Sequence, residues 1–176
     1  MSRQLGSYTV PMADEVDEVV AGWAAARPDL DLAPLHVLSR VQRVAQLLGE
    51  RRELAFAEHG LAPHEFDVLA ALRRSPDERG LTPGRLMALT HVTSGTMTNR
   101  LDRLEARRLV VRRADPDDGR QSLIRLTAAG RRRVDGALES LLAYERQVLD
   151  GLTRRELEQT ISALRTLLAA GTLAVD

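Results

Sequence analysis

Two short helical segments on either side of a tight turn constrain the fold most strongly. The first is predicted over residues 83–90, because Thr82 followed by Pro83 is typical of a helix start. The second is predicted over residues 93–108, where apolar residues recur at helical spacing. These apolar residues are Met97, Leu101 and Leu104. Two short helices joined in this way form the helix-turn-helix pattern, whose second helix enters the major groove of DNA.

A β-hairpin is predicted directly after the second helix. The hydrophobic period changes there from about 3.6 to about 2 residues, which indicates strands over residues 109–113 and 123–127. The intervening residues 115–120 read DPDDGR, a composition typical of turns. A hairpin in this position is the wing of a winged helix-turn-helix.

Further helices are predicted on both sides of this centre, over residues 13–26, 35–59, 63–74, 127–149 and 153–169. The predicted fold is mainly α with a small β-hairpin: a winged helix-turn-helix with an added N-terminal helix and helical dimerisation arms. We divide it into N-terminal helices for ligand binding and dimerisation (1–60), a DNA-binding domain (61–127) and C-terminal dimerisation helices (128–176). The apolar stripes of the terminal helices have no obvious partner within so small a domain, which predicts a homodimer.

Charge is unevenly distributed along a chain whose formal net charge is zero. Residues 99–133 carry eleven arginines against five acidic residues, and residues 1–35 carry two against six. The chain has no cysteine and its four histidines are scattered, so we expect no disulfide, no metal site and no cofactor. The sequence contains no nucleophile–base pair and no glycine-rich phosphate loop, so we do not expect an enzyme. We find no membrane-spanning run or signal peptide, and therefore expect a cytoplasmic protein.

The start of the second helix carries the residues that fit DNA reading best. Ser94, Thr96, Thr98 and Asn99 have small hydroxyl or amide side chains that can donate or accept hydrogen bonds at base edges. Arg103, Arg107 and Arg108 further along this helix are expected to contact the DNA backbone. Arg120 at the tip of the hairpin is expected to reach the minor groove. The alternatives are that the hydroxyl groups only cap the helix and that Arg120 is a solvated turn residue.

Four segments of the chain resemble the MarR family of transcriptional regulators. They are residues 66–69, 81–83, 93–105 and 118–120, within a resemblance that runs from about residue 35 to about residue 168. The resemblance implies a symmetric dimer that binds a double-stranded, pseudo-palindromic operator as a repressor. It also implies that the terminal helices of the two chains interleave. One departure is Gln121, which stands where an arginine is common and which is expected to weaken a phosphate contact.

An additional N-terminal helix with the only tryptophan, Trp23, resembles the urate-responsive branch of that family, the PecS and HucR type. The resemblance implies that Trp23, Asp67, Arg100 and, less directly, Arg112 bind a small anionic effector such as urate. We expect Asp67 and Arg100 to form an ion pair for which the anion competes, so that the effector releases the DNA.

Plainer interpretations of the same residues remain open at this point. Trp23 is equally compatible with simple packing, and an Asp–Arg pair with a structural role. The effector is alternatively a phenolic or other aromatic acid. The chain is alternatively a helical protein-interaction module that binds no DNA.

Overall fold

The structure, a computed structural model, describes residues 13–118 and 121–173, without the side chains of residues 172 and 173. Within these ranges the chain forms seven helices and one antiparallel two-stranded sheet. The helices are α1 (Glu15–Ala26), α2 (Ala33–Ala57), α3 (Pro63–Arg74), α4 (Pro83–Thr90), α5 (Ser94–Ala106), α6 (Ala128–Leu149) and α7 (Arg154–Leu173), and the strands are β1 (Val110–Ala114) and β2 (Ser122–Leu126). The predicted mainly helical fold with a small hairpin is confirmed.

Most differences from the predicted boundaries amount to a few residues, and local hydrogen bonds explain several of them. Helix α2 begins at Ala33, because the Asp31 carboxylate accepts a hydrogen bond from the Ala33 N–H at 2.9 Å. Strand β1 begins at Val110, because the Leu109 N–H closes α5 by donating to the Leu104 carbonyl. Strand β2 ends at Leu126 and Thr127 instead caps the start of α6, since its hydroxyl accepts from the Gly130 N–H at 3.0 Å.

The chain divides into two compact units. The central unit comprises Leu47–Tyr144, and the terminal unit comprises Met1–Gln46 together with Glu145–Asp176. These boundaries fall inside α2 and α6, whereas the sequence-based division placed them at the ends of helices.

A single apolar core fills the central unit. The rings of Phe56 and Phe66 stack with centroids 4.0 Å apart and join α2 to α3. Helix α5 contributes three buried side chains to the same core, and the hairpin contributes Ile124. The three side chains are Met97, Leu101 and Leu104. The core therefore fixes which face of α5 is turned toward solvent.

The hairpin is tied to the loop that precedes α4. Strands β1 and β2 pair with Val110 opposite Leu126 and Ala114 opposite Ser122. Leu81 exchanges two backbone hydrogen bonds with Ile124, of 2.8 and 3.0 Å. Gly80 permits this approach, because its φ is +112° and a Cβ atom there would lie 2.4 Å from the Ile124 carbonyl oxygen.

In the terminal unit, ion pairs join α1 to the start of α2. Arg40 donates to both carboxylate oxygens of Asp14, at 2.8 and 2.9 Å, and to Asp17 at 2.7 Å. Hydrogen bonds from Arg40 lower the pKa of the Asp14 carboxyl below its ordinary value. Val16 and Val20 are the buried residues of α1, whereas Val19 and Trp23 are about half exposed.

Candidate DNA interface and ligand site

Helix α5 presents a polar, solvent-exposed surface at its N-terminal end. Ser94, Thr96, Thr98 and Asn99 are all exposed, as their predicted role requires. Ser94 and Asn99 make no side-chain hydrogen bond within the part of the chain that the structure describes. The opposite side of the helix is anchored in the core by its three apolar residues, so the first two turns can meet a ligand without unpacking.

The hydroxyl groups at the start of α5 do not simply cap the helix. Thr93 occupies the N-cap position, but its side chain accepts no backbone N–H. Its hydroxyl lies 3.1 Å from that of Thr96, and the Thr98 hydroxyl donates to the Ser94 carbonyl at 3.0 Å. Each hydroxyl oxygen keeps acceptor capacity, and the N–H groups of the first turn remain open to an anion such as a phosphate.

Two arginines near the end of α5 differ sharply in their surroundings. Arg103 is exposed and forms no ion pair with any described residue, which suits a phosphate contact. Arg107, which sequence reasoning also directed toward the DNA backbone, is held inward by Glu65 at 2.6 Å. The expectation for Arg107 is corrected, because a buried carboxylate requires a positive partner.

The wing has an acidic loop whose charges are partly neutralised. Asp117 lies 2.6 Å from Nη1 of Arg79, a residue of the loop before α4. Asp118 accepts a hydrogen bond from the Gln121 side-chain amide at 2.9 Å. Arg120, the predicted DNA contact of the wing, lies outside the described residues.

The structure does not bring Asp67 and Arg100 together as an ion pair. Asp67 is 49 % exposed and its nearest cation is Arg52 of α2, at 3.9 Å. Arg100 is half-buried and forms no ion pair with any described residue. The expectation of a pair was wrong because Asp67 lies on the exposed side of α3, where water solvates it and no guanidinium is required.

The other two predicted ligand residues differ from each other in their surroundings. Arg112 of β1 forms ion pairs with two carboxylates of α5, Asp102 and Glu105, the latter at 3.2 Å. Trp23 belongs to α1 in the terminal unit, where its side chain is 51 % exposed.

Sequence reasoning missed the contact between Glu65 and Arg107. Glu65 stands at the third position of α3, where its side chain accepts from the Ala62 N–H at 3.0 Å. Burial raises the pKa of Glu65, but hydrogen bonds from Arg107 and Ala62 outweigh burial and leave the pKa below its ordinary value. The position of the glutamate after Ala62 and Pro63 is typical of a helix start and was the one available signal. Its partner is 42 residues away and has no signature in the sequence.

Comparison with known proteins decides the family. A family model described as the MarR family matches residues 59–121. The HTH-type transcriptional regulator PecS of Dickeya dadantii (strain 3937) is 32 % identical over 142 residues, which cover 81 % of this chain and 86 % of PecS. The chain belongs to the MarR family. It is a DNA-binding transcriptional regulator and not an enzyme, in agreement with the sequence-based expectation.

Solved structures of MarR-family type share the fold. CouR from Rhodococcus jostii RHA1 bound to p-coumaroyl-CoA is 26 % identical, with a TM-score of 0.61 over 72 % of this chain and 87 % of that one. A repressor CouR bound to a 23-mer DNA duplex is 24 % identical, with a TM-score of 0.65 over 80 % and 99 % of the two chains. The second likeness supports the fold alone.

No helix among residues 13–118 and 121–173 is long and apolar enough to cross a membrane. In the same ranges, no group of three or more His, Asp or Glu side chains could hold a metal ion.

Proposed function

We propose that this MarR-family regulator is a homodimeric repressor that binds a pseudo-palindromic operator through α5 and the wing. The observation that carries the proposal is the first two turns of α5, which expose hydroxyl and amide groups while three buried apolar residues hold the helix in place. Ser94, Thr96, Thr98 and Asn99 read base edges in the major groove. Arg103 and Arg120 contact phosphates or the minor groove and set the register.

Exposed apolar side chains on the terminal unit support the homodimer. They recur along α2 and α7, and six residues of these helices line an apolar cavity of about 420 Å³. The six are Leu38, Val41, Leu164, Leu167, Leu168 and Gly171. Apolar surface of this kind is costly to leave in water and is typical of an interface. A second copy of the chain with the same surface would cover it and place two α5 helices on one face of DNA.

The proposed effector is urate or a related anionic purine. Arg100 is half-buried and has no carboxylate partner among the described residues, so its guanidinium can take a planar anion bidentately. Trp23 offers a half-exposed indole face and one N–H donor. The resemblance to the urate-responsive branch also assigns Asp67 and Arg112 to effector binding. Since Asp67 pairs with Arg52 and not with Arg100, the anion need not displace Asp67 from Arg100.

An aromatic acid is the second candidate effector. CouR, which shares 26 % identity with this chain, was solved with p-coumaroyl-CoA. A phenolic acid also has a planar ring and an anionic group, so it could use the same arginine and indole. Separate titrations of the protein–DNA complex with urate and with p-coumarate distinguish the two.

Effector titration of the protein–DNA complex tests this proposal. We expect urate to release DNA from the wild-type protein and to do so at markedly higher concentration with Trp23→Ala, while DNA affinity without urate stays nearly unchanged. Val19→Ala is the matched control, because Val19 lies one turn away on α1 and is 54 % exposed against 51 % for Trp23. Release at the same urate concentration for Trp23→Ala and wild type, or at none, would exclude the purine assignment. Release by p-coumarate alone would favour the aromatic acid.

A further inference from the structure

The carboxylate of Glu65 is an unusual feature of the central unit. Glu65 is the one buried charged residue among the described residues, and its side chain is only 9 % exposed. Both of its oxygens accept a hydrogen bond from Nη1 of Arg107, at 2.6 and 2.7 Å, and one of them also accepts from the Ala62 N–H. A carboxylate so placed is stable only while its donors stay in position.

Arg107 uses its second amino group on a different acceptor. Nη2 donates to the Gly60 carbonyl at 2.5 Å, so one planar guanidinium binds both the carboxylate of α3 and the turn between α2 and α3. Gly60 lies in the left-handed region with φ of +63° and turns its carbonyl toward the arginine. A lysine has no such planar fork and could not serve both acceptors in this geometry.

The same turn is bound from a second side. Arg133 of α6 donates to the His59 carbonyl at 2.6 Å. Two arginines therefore hold neighbouring carbonyls of one turn, but only Arg107 belongs to the end of α5, where it occupies the C-cap position. Substitution of Arg133 therefore affects only the turn between α2 and α3, whereas substitution of Arg107 affects both this turn and the end of α5.

We propose that Glu65 and Arg107 position the DNA-reading helix, so that base recognition depends on an ion pair that does not touch DNA. This inference rests on the proposed use of α5 as the reading helix. The positioning acts at the C-terminal end of α5, while Ser94 to Asn99 act at the other end.

The distance between the two ends makes recognition sensitive to this pair. Asn99 and Arg107 are eight positions apart, which corresponds to about 12 Å along a helix. A tilt of about 5° around the C-terminal end would move Asn99 by about 1 Å, which exceeds the roughly 0.5 Å range of good hydrogen-bond distances. Contacts of long arginines with phosphates tolerate such a shift, so loosening the pair should reduce specific binding more than non-specific binding.

The test compares affinity for two DNA probes: a duplex selected from a randomised pool by the wild-type protein, and a random duplex of equal length at the same salt concentration. The variants are Arg107→Lys, Glu65→Gln and the matched control Arg133→Gln. We expect the first two to lower the ratio of selected to random affinity about tenfold, and Arg133→Gln to leave that ratio at the wild-type value. Thermal unfolding and oligomeric state are measured in parallel to identify folded variants.

The results separate this inference from the proposed function. Selection of a duplex by the wild-type protein tests the DNA-reading function by itself, and the ratios of the variants test the positioning role. If Arg107→Lys and Glu65→Gln remain folded with a wild-type ratio, or if Arg133→Gln lowers the ratio equally, the positioning role is wrong. A charge-neutral pair, Glu65→Gln with Arg107→Gln, covers the case in which a single variant unfolds. The pair should be folded and still show the reduced ratio.

Discussion

Two acidic residues of α3 show how burial determines whether a single carboxylate requires a charge partner. Glu65 is buried and accepts three hydrogen bonds, whereas Asp67, two positions later on α3, is 49 % exposed and its nearest cation is 3.9 Å away. In the sequence both are acidic residues on an amphipathic helix, and nothing in it shows which of the two has a cationic partner. The Asp67–Arg100 pair was inferred from a resemblance, and the Glu65–Arg107 pair depends on a tertiary contact that no local pattern encodes.

The charge of Glu65 predicts a pH dependence of stability. Its pKa is lowered in the folded protein, so its contribution is fully present above the unfolded value of about 4.3 and is lost as the pH falls through the lower folded value. We expect Glu65→Gln to cost about 3 kcal/mol of unfolding free energy at pH 7, the low end of the range for buried pairs, since Arg107 is 38 % exposed. Below about pH 4.3 the difference in unfolding free energy between Glu65→Gln and wild type should become smaller.

Urea denaturation from pH 7 to pH 3 measures this effect. Glu158→Gln is the control, because Glu158 is 64 % exposed and pairs with Arg154 within α7. A pH-independent difference between Glu65→Gln and wild type would contradict the assignment.

At the scale of elements, two helices of the central unit were the most predictable parts. Helices α3 and α4 begin and end at the predicted residues, because proline and threonine starts are local signals. The division into units was less predictable. Its boundaries fall within α2 and α6, whose helical periodicity continues without interruption across them.

The start of α6 depends on a close approach that only glycine permits. A Cβ atom at Gly130 would lie 2.0 Å from the Leu109 carbonyl oxygen, which also accepts the Thr127 N–H at 3.0 Å. We expect Gly130→Ala to lower the free energy of unfolding by about 1–3 kcal/mol, as overpacking does. Gly49→Ala in α2 is the control, since no heavy atom lies within 4 Å of that position and alanine should stabilise a helix interior by about 0.5–1 kcal/mol. Equal shifts in the two melting temperatures would exclude this explanation.

The ion pair between Arg79 and Asp117 of the wing leads to a prediction about affinity for DNA. Arg79→Gln removes the partner of Asp117 and leaves an uncompensated carboxylate near the DNA backbone. We expect roughly threefold to tenfold weaker binding to all sequences at low salt, with stability changed by less than about 1 kcal/mol. The double variant Arg79→Gln with Asp117→Asn should recover affinity, and Arg154→Gln in α7 should have no effect. Failure of the double variant to recover would show that Arg79 acts by itself.

At the scale of the whole molecule, the exposed apolar residues of the terminal unit are the basis for the proposed homodimer. The sequence already predicted this association, because helical periodicity shows that apolar residues of the terminal helices share a face that has no partner. The arrangement of two chains cannot be obtained in the same way, since it depends on shape complementarity between surfaces. The proposed DNA-reading role of α5 combines both scales, because each copy in the proposed homodimer would supply one reading helix.

The most direct test of this account is an anisotropy titration of the selected duplex with wild type and Asn99→Ala. We expect two protomers per duplex and a pseudo-palindromic site whose half-sites lie about one DNA turn apart, roughly 34–36 Å. Asn99→Ala should lose about 1–3 kcal/mol of discrimination at one base pair in each half-site and keep its affinity for random DNA. Equal losses on selected and random DNA, or one protomer per duplex, would contradict the account.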